Sequence, residues 1–255
     1  MTEPTELDAI LEKLKQRIEI MPTDDSIYEC AKCKDTEFIF YKDTNGYEYA
    51  KECECRTMKI AKRLLEKSGI SEEFQSKTFS NFEDRDIEQI RDAKQKAILY
   101  YQNFSKVENE RNNSIVFMGQ VGSGKTHLGM ALANNLIKTK NVAVLYMEYR
   151  QTATKLKQLI TNDFEYNTEL NKYKKARVLF IDDMLKGKVT ESDTNLLYEI
   201  VNYRYLNKLP MIISTEKTRE ELIEFDEAIA SRIIEMSKKN IVELKGKELN
   251  YRLYD

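Results

Sequence analysis

The chain of 255 residues contains no tryptophan, one histidine and three prolines, and no apolar run approaches the length of about 18 residues that crosses a membrane. Its start, Met1-Thr-Glu-Pro-Thr-Glu6, lacks the basic and apolar regions of a secretory leader, so a cytoplasmic location is expected. Charge of one sign is also missing. With 41 basic against 43 acidic residues, contact with nucleic acid would have to come from local patches rather than from the field of the whole protein. Internal repeats and low-complexity tracts are absent. Cysteine is confined to Cys30, Cys33, Cys53 and Cys55, a distribution unlike that of a secreted disulfide scaffold, which spreads its cysteines through the fold.

What is present begins with those four thiols. A C-x-x-C pair and a C-x-C pair can place four thiolates around one ion, and the stretch between them reads as a hairpin with a turn at Asp43-Thr-Asn-Gly46. This is a zinc ribbon in outline. Four thiolates fill a tetrahedral shell, so the expected zinc is structural; free buried thiols or a redox pair are the alternatives. Ahead of it, Leu7, Ile10, Leu11, Leu14 and Ile18 recur at helical spacing on a stretch from Glu6 to Ile20, an amphipathic helix that packs on its own domain or on a partner. After it comes a basic helix from Arg56 to Lys67, broken at Ser68-Gly69. Three divisions follow: 1–68, the helix and the cysteine ribbon; 69–110, a linker and a leading helix; 111–255, the remaining core.

Three of the eight glycines fall in Gly119-Gln-Val-Gly122-Ser123-Gly124-Lys125-Thr126, which fits the phosphate-binding pattern GxxxxGK[ST]. Several backbone N–H groups must converge on a triphosphate, and glycine lets the main chain approach it. Lys125 would reach the β- and γ-phosphates and the Thr126 hydroxyl would ligate Mg²⁺. His127 follows in the first turn of the helix and is counted with that turn's nucleotide contacts rather than as a catalytic base. Phe74, Phe79 and Phe82 in the linker are either core anchors or the wall of an adenine pocket.

The context fits a nucleotide site. Ser114–Met118, Val142–Met147, Val178–Asp182, Met211–Ser214 and Ile241–Leu244 are short β-rich runs separated by helical patterns, which predicts a five-stranded parallel sheet flanked by helices, an α/β fold. The third run ends in Asp182-Asp183. In phosphate-loop proteins the strand next to the first carries such an aspartate, so Asp182 is expected at Mg²⁺ and Asp183 at the attacking water. Ser214 and Thr215, at the end of the fourth run, are placed to bond the γ-phosphate or the water, unless they merely cap a helix. Arg232 is either an arginine finger for a neighbouring subunit's γ-phosphate or a structural arginine.

The phosphate loop, the Ile-Asp182-Asp183 and Ile-Ser214-Thr215 strand ends and Ser231-Arg232-Ile233 together resemble bacterial helicase loaders of the DnaC/DnaI type, AAA+ ATPases related to the replication initiator DnaA. The resemblance implies an ATP-binding and ATP-hydrolysing protein that binds a replicative hexameric DNA helicase through its N-terminal region. It also implies assembly into an ATP-dependent homo-oligomer and placement of the helicase on single-stranded DNA. Lys125 and Thr126 would be Walker A residues, Asp182 and Asp183 Walker B, Ser214-Thr215 the first sensor and Arg232 the finger, with ATP or ADP, Mg²⁺ and Zn²⁺ as cofactors.

The sequence departs from that pattern at three points. Asp183 stands where Glu is usual, Glu216 stands where the sensor commonly has Asn, and only 23 residues follow Arg232, too few for a full C-terminal lid. Arg252 has no role on this reading. Two other functions are consistent with the same motifs: a transposition helper ATPase of the IstB type acting on duplex DNA, and a zinc adaptor that binds nucleotide as a switch and hardly hydrolyses it. For DNA contact the candidates are Lys155, Lys157, Lys172, Lys174, Lys175 and Arg177, or Lys238, Lys239, Lys245 and Lys247, with Tyr149 and Tyr173 as stacking platforms.

Overall fold

The structure is a computed structural model that describes residues 28–44, 46–67 and 72–254. The amphipathic stretch from Glu6 to Ile20 and the boundary expected near Gly69 lie outside these residues. The chain divides into two compact units, Met1–Lys59 and Ile60–Asp255. Among the described residues no helix is long and apolar enough to cross a membrane.

In the first unit, β1 (Phe38–Lys42) and β2 (Glu48–Glu52) pair antiparallel, with Phe38 opposite Glu52 and Lys42 opposite Glu48. The hairpin between the cysteine pairs is therefore formed. The basic stretch that follows is helix α1 (Cys55–Lys67).

The second unit is built on five parallel strands: β3 (Ile115–Gly119), β4 (Val144–Glu148), β5 (Val178–Met184), β6 (Met211–Thr215) and β7 (Ile241–Leu244), all five within a residue or two of the predicted runs. The helices before and between them are α2 (Glu72–Gln75), α3 (Glu88–Val107), α4 (Lys125–Lys140), α5 (Tyr149–Leu159), α6 (Asp163–Lys175), α7 (Glu191–Leu206), α8 (Arg219–Phe225) and α9 (Glu227–Ser237). A 3₁₀ turn at Lys247–Leu249 and the single turn α10 (Tyr251–Tyr254) follow β7.

Alternation of side chains along each strand sorts the core into two layers. Ile115, Phe117, Tyr146, Phe180 and Ile212 pack with Ile90, Ala97 and Phe104 of α3 and Leu128, Leu132 and Leu136 of α4. Val116, Met118, Met147, Ile181 and Ile213 pack with residues of α5 to α9 on the other face. The leading helix α3 thus shares the core of the sheet it precedes.

Strand order is β4-β5-β6-β3-β7. The strand carrying Asp182-Asp183 is therefore not next to the strand that feeds the phosphate loop, as expected, because β6 lies between them. This interposition brings Ser214 against Asp182. At the opposite end of the sheet the wholly buried Arg204 donates to the carbonyls of Tyr173, Lys174, Ala176, Arg177 and Pro210, tying the C-terminus of α6 to the starts of β5 and β6. Burial pulls its pKa down to about 9, so the guanidinium remains charged at neutral pH.

Candidate nucleotide-binding site

The site forms at the carboxyl end of the sheet, where open α/β sheets bind ligands. Gly119, Gly122 and Gly124 all have positive φ, and Gly124 delivers the chain directly into α4, whose N-terminal N–H groups and dipole favour an anion. Gly122 is needed for a second reason. A Cβ there would lie 2.2 Å from Asn250 Oδ1, and the Tyr251 N–H donates to Gly122 O, so the turn after β7 sits on the phosphate loop.

Lys125 is buried and donates from Nζ to Gly119 O at 2.9 Å and Gln120 O at 2.6 Å. Burial lowers its pKa to about 8, against the opposing pull of Glu216 and Asp183. Asp182 is also buried. Its Oδ1 accepts from Thr126 Oγ1 at 2.8 Å and from the Ser214 hydroxyl, and its Oδ2 accepts from the Tyr146 hydroxyl at 2.9 Å. Burial raises the Asp182 pKa above the ordinary carboxylate value, while the hydrogen bonds from Ser214 and Thr126 oppose it. Thr126 and Asp182 thus place two hard oxygens side by side, the donor set that Mg²⁺ takes when it keeps most of its ligands from water and phosphate.

The pairing of β5 with β6 slips between Ile181 and Met184, and Asp183 takes φ 51°. Such a bulge re-aims the side chains that follow it. Asp183 turns toward the cavity, its N–H donates to Ser214 Oγ at 2.8 Å, and its Oδ2 lies 2.6 Å from Lys186 Nζ. The cavity has a volume of about 640 Å³, within the range of small-molecule sites. Its lining combines the charged and polar Lys125, Thr126, Asp182, Asp183, Lys186 and Glu216 with Phe74, Asn81, Phe82, Tyr251 and Arg252.

The other predicted residues are placed as follows. Gly122, Ser123, Gly124 and His127 line this cavity, whereas Gly119 faces a second one beside it. His127 Nε2 lies 3.1 Å from both Thr78 O and Asn81 Oδ1, and its ring meets Phe82 edge-on at 5.1 Å. It fastens the linker to α4, and burial lowers its pKa. Ser214 and Thr215 do not line the cavity: Ser214 bonds Asp182, and Thr215 Oγ1 donates to Met184 O inside the sheet. Both hydroxyls act on the turn that carries Asp183 rather than on the nucleotide cavity. Phe74 and Phe82 line the cavity and Phe79 packs against the core.

Arg232 is not among the cavity residues; its guanidinium bonds Asn202 Oδ1 and Ala228 O and lies over Tyr198 and Tyr205. Tyr149 and Tyr173 are buried in the core and cannot serve as stacking platforms. Of the candidate DNA-contacting cations, Lys155 and Lys172 pair with Glu169, Lys157 with Asp193, Lys174 with Glu199, Arg177 with Glu108 and Lys245 with Glu243. The reading of the sequence missed Tyr146, Lys186 and Asn250, because each reaches the site through strand register or a turn. Only Lys186, three residues beyond Asp183, carried a local signal.

In the first unit, Cys30 Sγ and Cys53 Sγ lie 3.8 Å apart and Cys33 Sγ and Cys55 Sγ 3.4 Å apart, with all four within 4.8 Å of one another. Four thiolates held about 2.3 Å from a tetrahedral zinc lie about 3.8 Å from one another, so the cluster is compatible with a zinc site.

Comparison with known proteins agrees with this geometry. The family described as "IstB-like ATP binding protein" matches residues 8–253. The Bacillus subtilis (strain 168) phage-like element PBSX protein XkdC is 40% identical over 240 residues, covering 91% of this chain and 88% of that protein. The YqaM protein of the same organism is 39% identical over 258 residues, covering 95% of this chain and 79% of that one. The crystal structure of the DnaC helicase loader superposes with a TM-score of 0.56 over 69% of this chain and 100% of that one, at 20% identity, a likeness of fold. With the phosphate loop, the Thr126–Asp182 pair and a family match along nearly its whole length, this chain belongs to the IstB-like ATP-binding proteins and is an ATPase of the AAA+ type.

Proposed function

We propose that this ATPase loads a replicative hexameric DNA helicase onto single-stranded DNA under the control of ATP. The fold likeness that extends over the whole described chain of a DnaC helicase loader carries the reading. Lys125, Thr126 and Asp182 hold the Mg²⁺ nucleotide, Asp183 orients or activates the attacking water, and the four cysteines hold a structural zinc. The region ahead of the ATPase unit, with its cysteine ribbon, grips the helicase. Arg232 serves a neighbouring subunit rather than its own site, a reading supported by its absence from the residues that line its own subunit's cavity. ATP shared between Lys125 of one subunit and Arg232 of the next then makes assembly nucleotide-dependent.

Capture of the host's replicative helicase by the immobilised full chain, with and without ATP, tests this. Retention of the helicase supports it, and no retention under either condition sinks it. The match to the IstB-like family across residues 8–253, the cysteine region included, favours a second reading, a transposition helper that acts on duplex DNA. Titrations at matched salt separate the two, because phosphate contacts make affinity steeply salt-dependent. Preference for single strands supports the loader, and preference for duplex supports the helper.

A further inference from the structure

Lys186 faces two carboxylates in the lining of the nucleotide cavity. Its Nζ lies 2.6 Å from Asp183 Oδ2 and 3.4 Å from Glu216 Oε1. The backbone explains the arrangement. Asp183 and Leu185 take φ of 51° and 64°, and the Lys186 N–H donates to Asp183 O, so a tight turn folds Lys186 back over the acid. Glu216 arrives separately, directly after β6. Lys186 and Glu216 line both the nucleotide cavity and the neighbouring cavity of about 490 Å³, and so form the partition between them.

Charge decides what this partition can do. Without Lys186, the lining around Lys125 would set Asp182, Asp183 and Glu216 against Lys125 alone. A third phosphate adds negative charge there, and like charges in a half-buried site repel strongly. An acid in the place of Glu216 is tolerable beside a triphosphate only while a cation compensates it. We infer that Lys186 and Glu216 act together as the reader of the γ-phosphate: Lys186 is the cation shared between the third phosphate and the two carboxylates, and Glu216 is the competitor that makes its loss costly. The pair thereby sets the preference for ATP over ADP. A diphosphate carries no third phosphate for this pair to read. This rests on the reading that Lys125, Thr126 and Asp182 hold the Mg²⁺ nucleotide.

The experiment is a set of equilibrium titrations of the full chain with Mg²⁺-ADP and with a non-hydrolysable Mg²⁺-ATP analogue. The proteins compared are the wild type, Lys186→Ala, Lys186→Arg, Glu216→Gln and the double variant Lys186→Ala/Glu216→Gln. Lys186→Ala is expected to lose affinity for the ATP analogue by about tenfold relative to ADP, a coupling of ordinary size. Lys186→Arg keeps most of the discrimination. Glu216→Gln placed in the Lys186→Ala background restores it, because the uncompensated acid is gone. A thermal unfolding transition like that of the wild type in each variant serves as the control for folding. Equal losses for both nucleotides, or a double variant no better than Lys186→Ala, overturn the inference while leaving the nucleotide site standing. A wild-type protein that binds neither nucleotide overturns the site reading itself.

Discussion

The cysteine unit and the ATPase unit reach order by opposite means. In the first, β2 is exposed at all five positions, and Cys33 and Cys53 are the buried side chains among the residues described there. The second buries its sheet on both faces, with β3 and β6 inaccessible at every position. Sequestered apolar area stabilises the ATPase unit through many small increments, whereas the cysteine unit concentrates its order at one point. Loss of one group should therefore be graded in one unit and all-or-none in the other.

The largest expected effect follows from that contrast. If the four cysteines hold the proposed zinc, replacing Cys53 with Ser, or treating the protein with a chelator, should abolish the order of the cysteine unit, since structural zinc contributes on the order of 10 kcal/mol to small domains. Nucleotide affinity should be unchanged. Zinc content, amide exchange and ADP titration together check this, and a parallel loss of ADP binding would break the comparison.

Arg204→Met is expected to lower the unfolding free energy of the ATPase unit by about 3 kcal/mol, because five buried or part-buried carbonyls each lose a bond from the guanidinium. The variant should still fold and still hold zinc, as denaturant titration and metal analysis would show.

Tyr146→Phe removes one donor from the Asp182 carboxylate and is expected to cost about 1.5 kcal/mol in Mg²⁺-dependent nucleotide binding. Burial already raises the Asp182 pKa, and the lost hydrogen bond raises it further. The acid limb of the binding profile should consequently move to higher pH. A profile that stays in place would show that Tyr146 does not tune the carboxylate.

The smallest effect concerns Lys125, whose pKa falls from 10.5 to about 8 in the folded chain. An unfolded chain keeps that proton to higher pH, so between about 8 and 10.5 the stability of the nucleotide-free protein rises with pH. Nucleotide affinity should fall by up to about tenfold between pH 8 and 9, because the phosphates require the ammonium. Calorimetry in buffers of different ionisation enthalpy should register proton uptake on binding above pH 8.

Much of this was legible in the sequence. The five strands, the phosphate loop and the hairpin between the cysteine pairs are local patterns, written in periodicity, glycine spacing and turn residues, and they stand where those patterns put them. Strand order is not local. With β6 inserted between β3 and β5, Ser214 became a partner of Asp182, and Tyr146 reached the same carboxylate from β4, two positions along the register. Surface charge misled for a related reason: Lys155, Lys157 and Lys172 read as a basic stretch until their acidic partners, Glu169 and Asp193, were brought in by folding. Tyr149 and Tyr173 looked available for stacking, yet each fills the layer beneath α5 and α6.

The contact between Asn250 and Gly122 makes the phosphate loop addressable from outside its own cavity. The side chain of Asn250 holds the Arg252 N–H as well as abutting the loop, and Leu253 and Tyr254 beyond it are largely exposed. A binder selected against Leu253 and Tyr254 would pull on Gly122 through Asn250 and Tyr251, which both touch it. Such a reagent would act as a handle on ATP affinity, since neither Leu253 nor Tyr254 lines the nucleotide cavity.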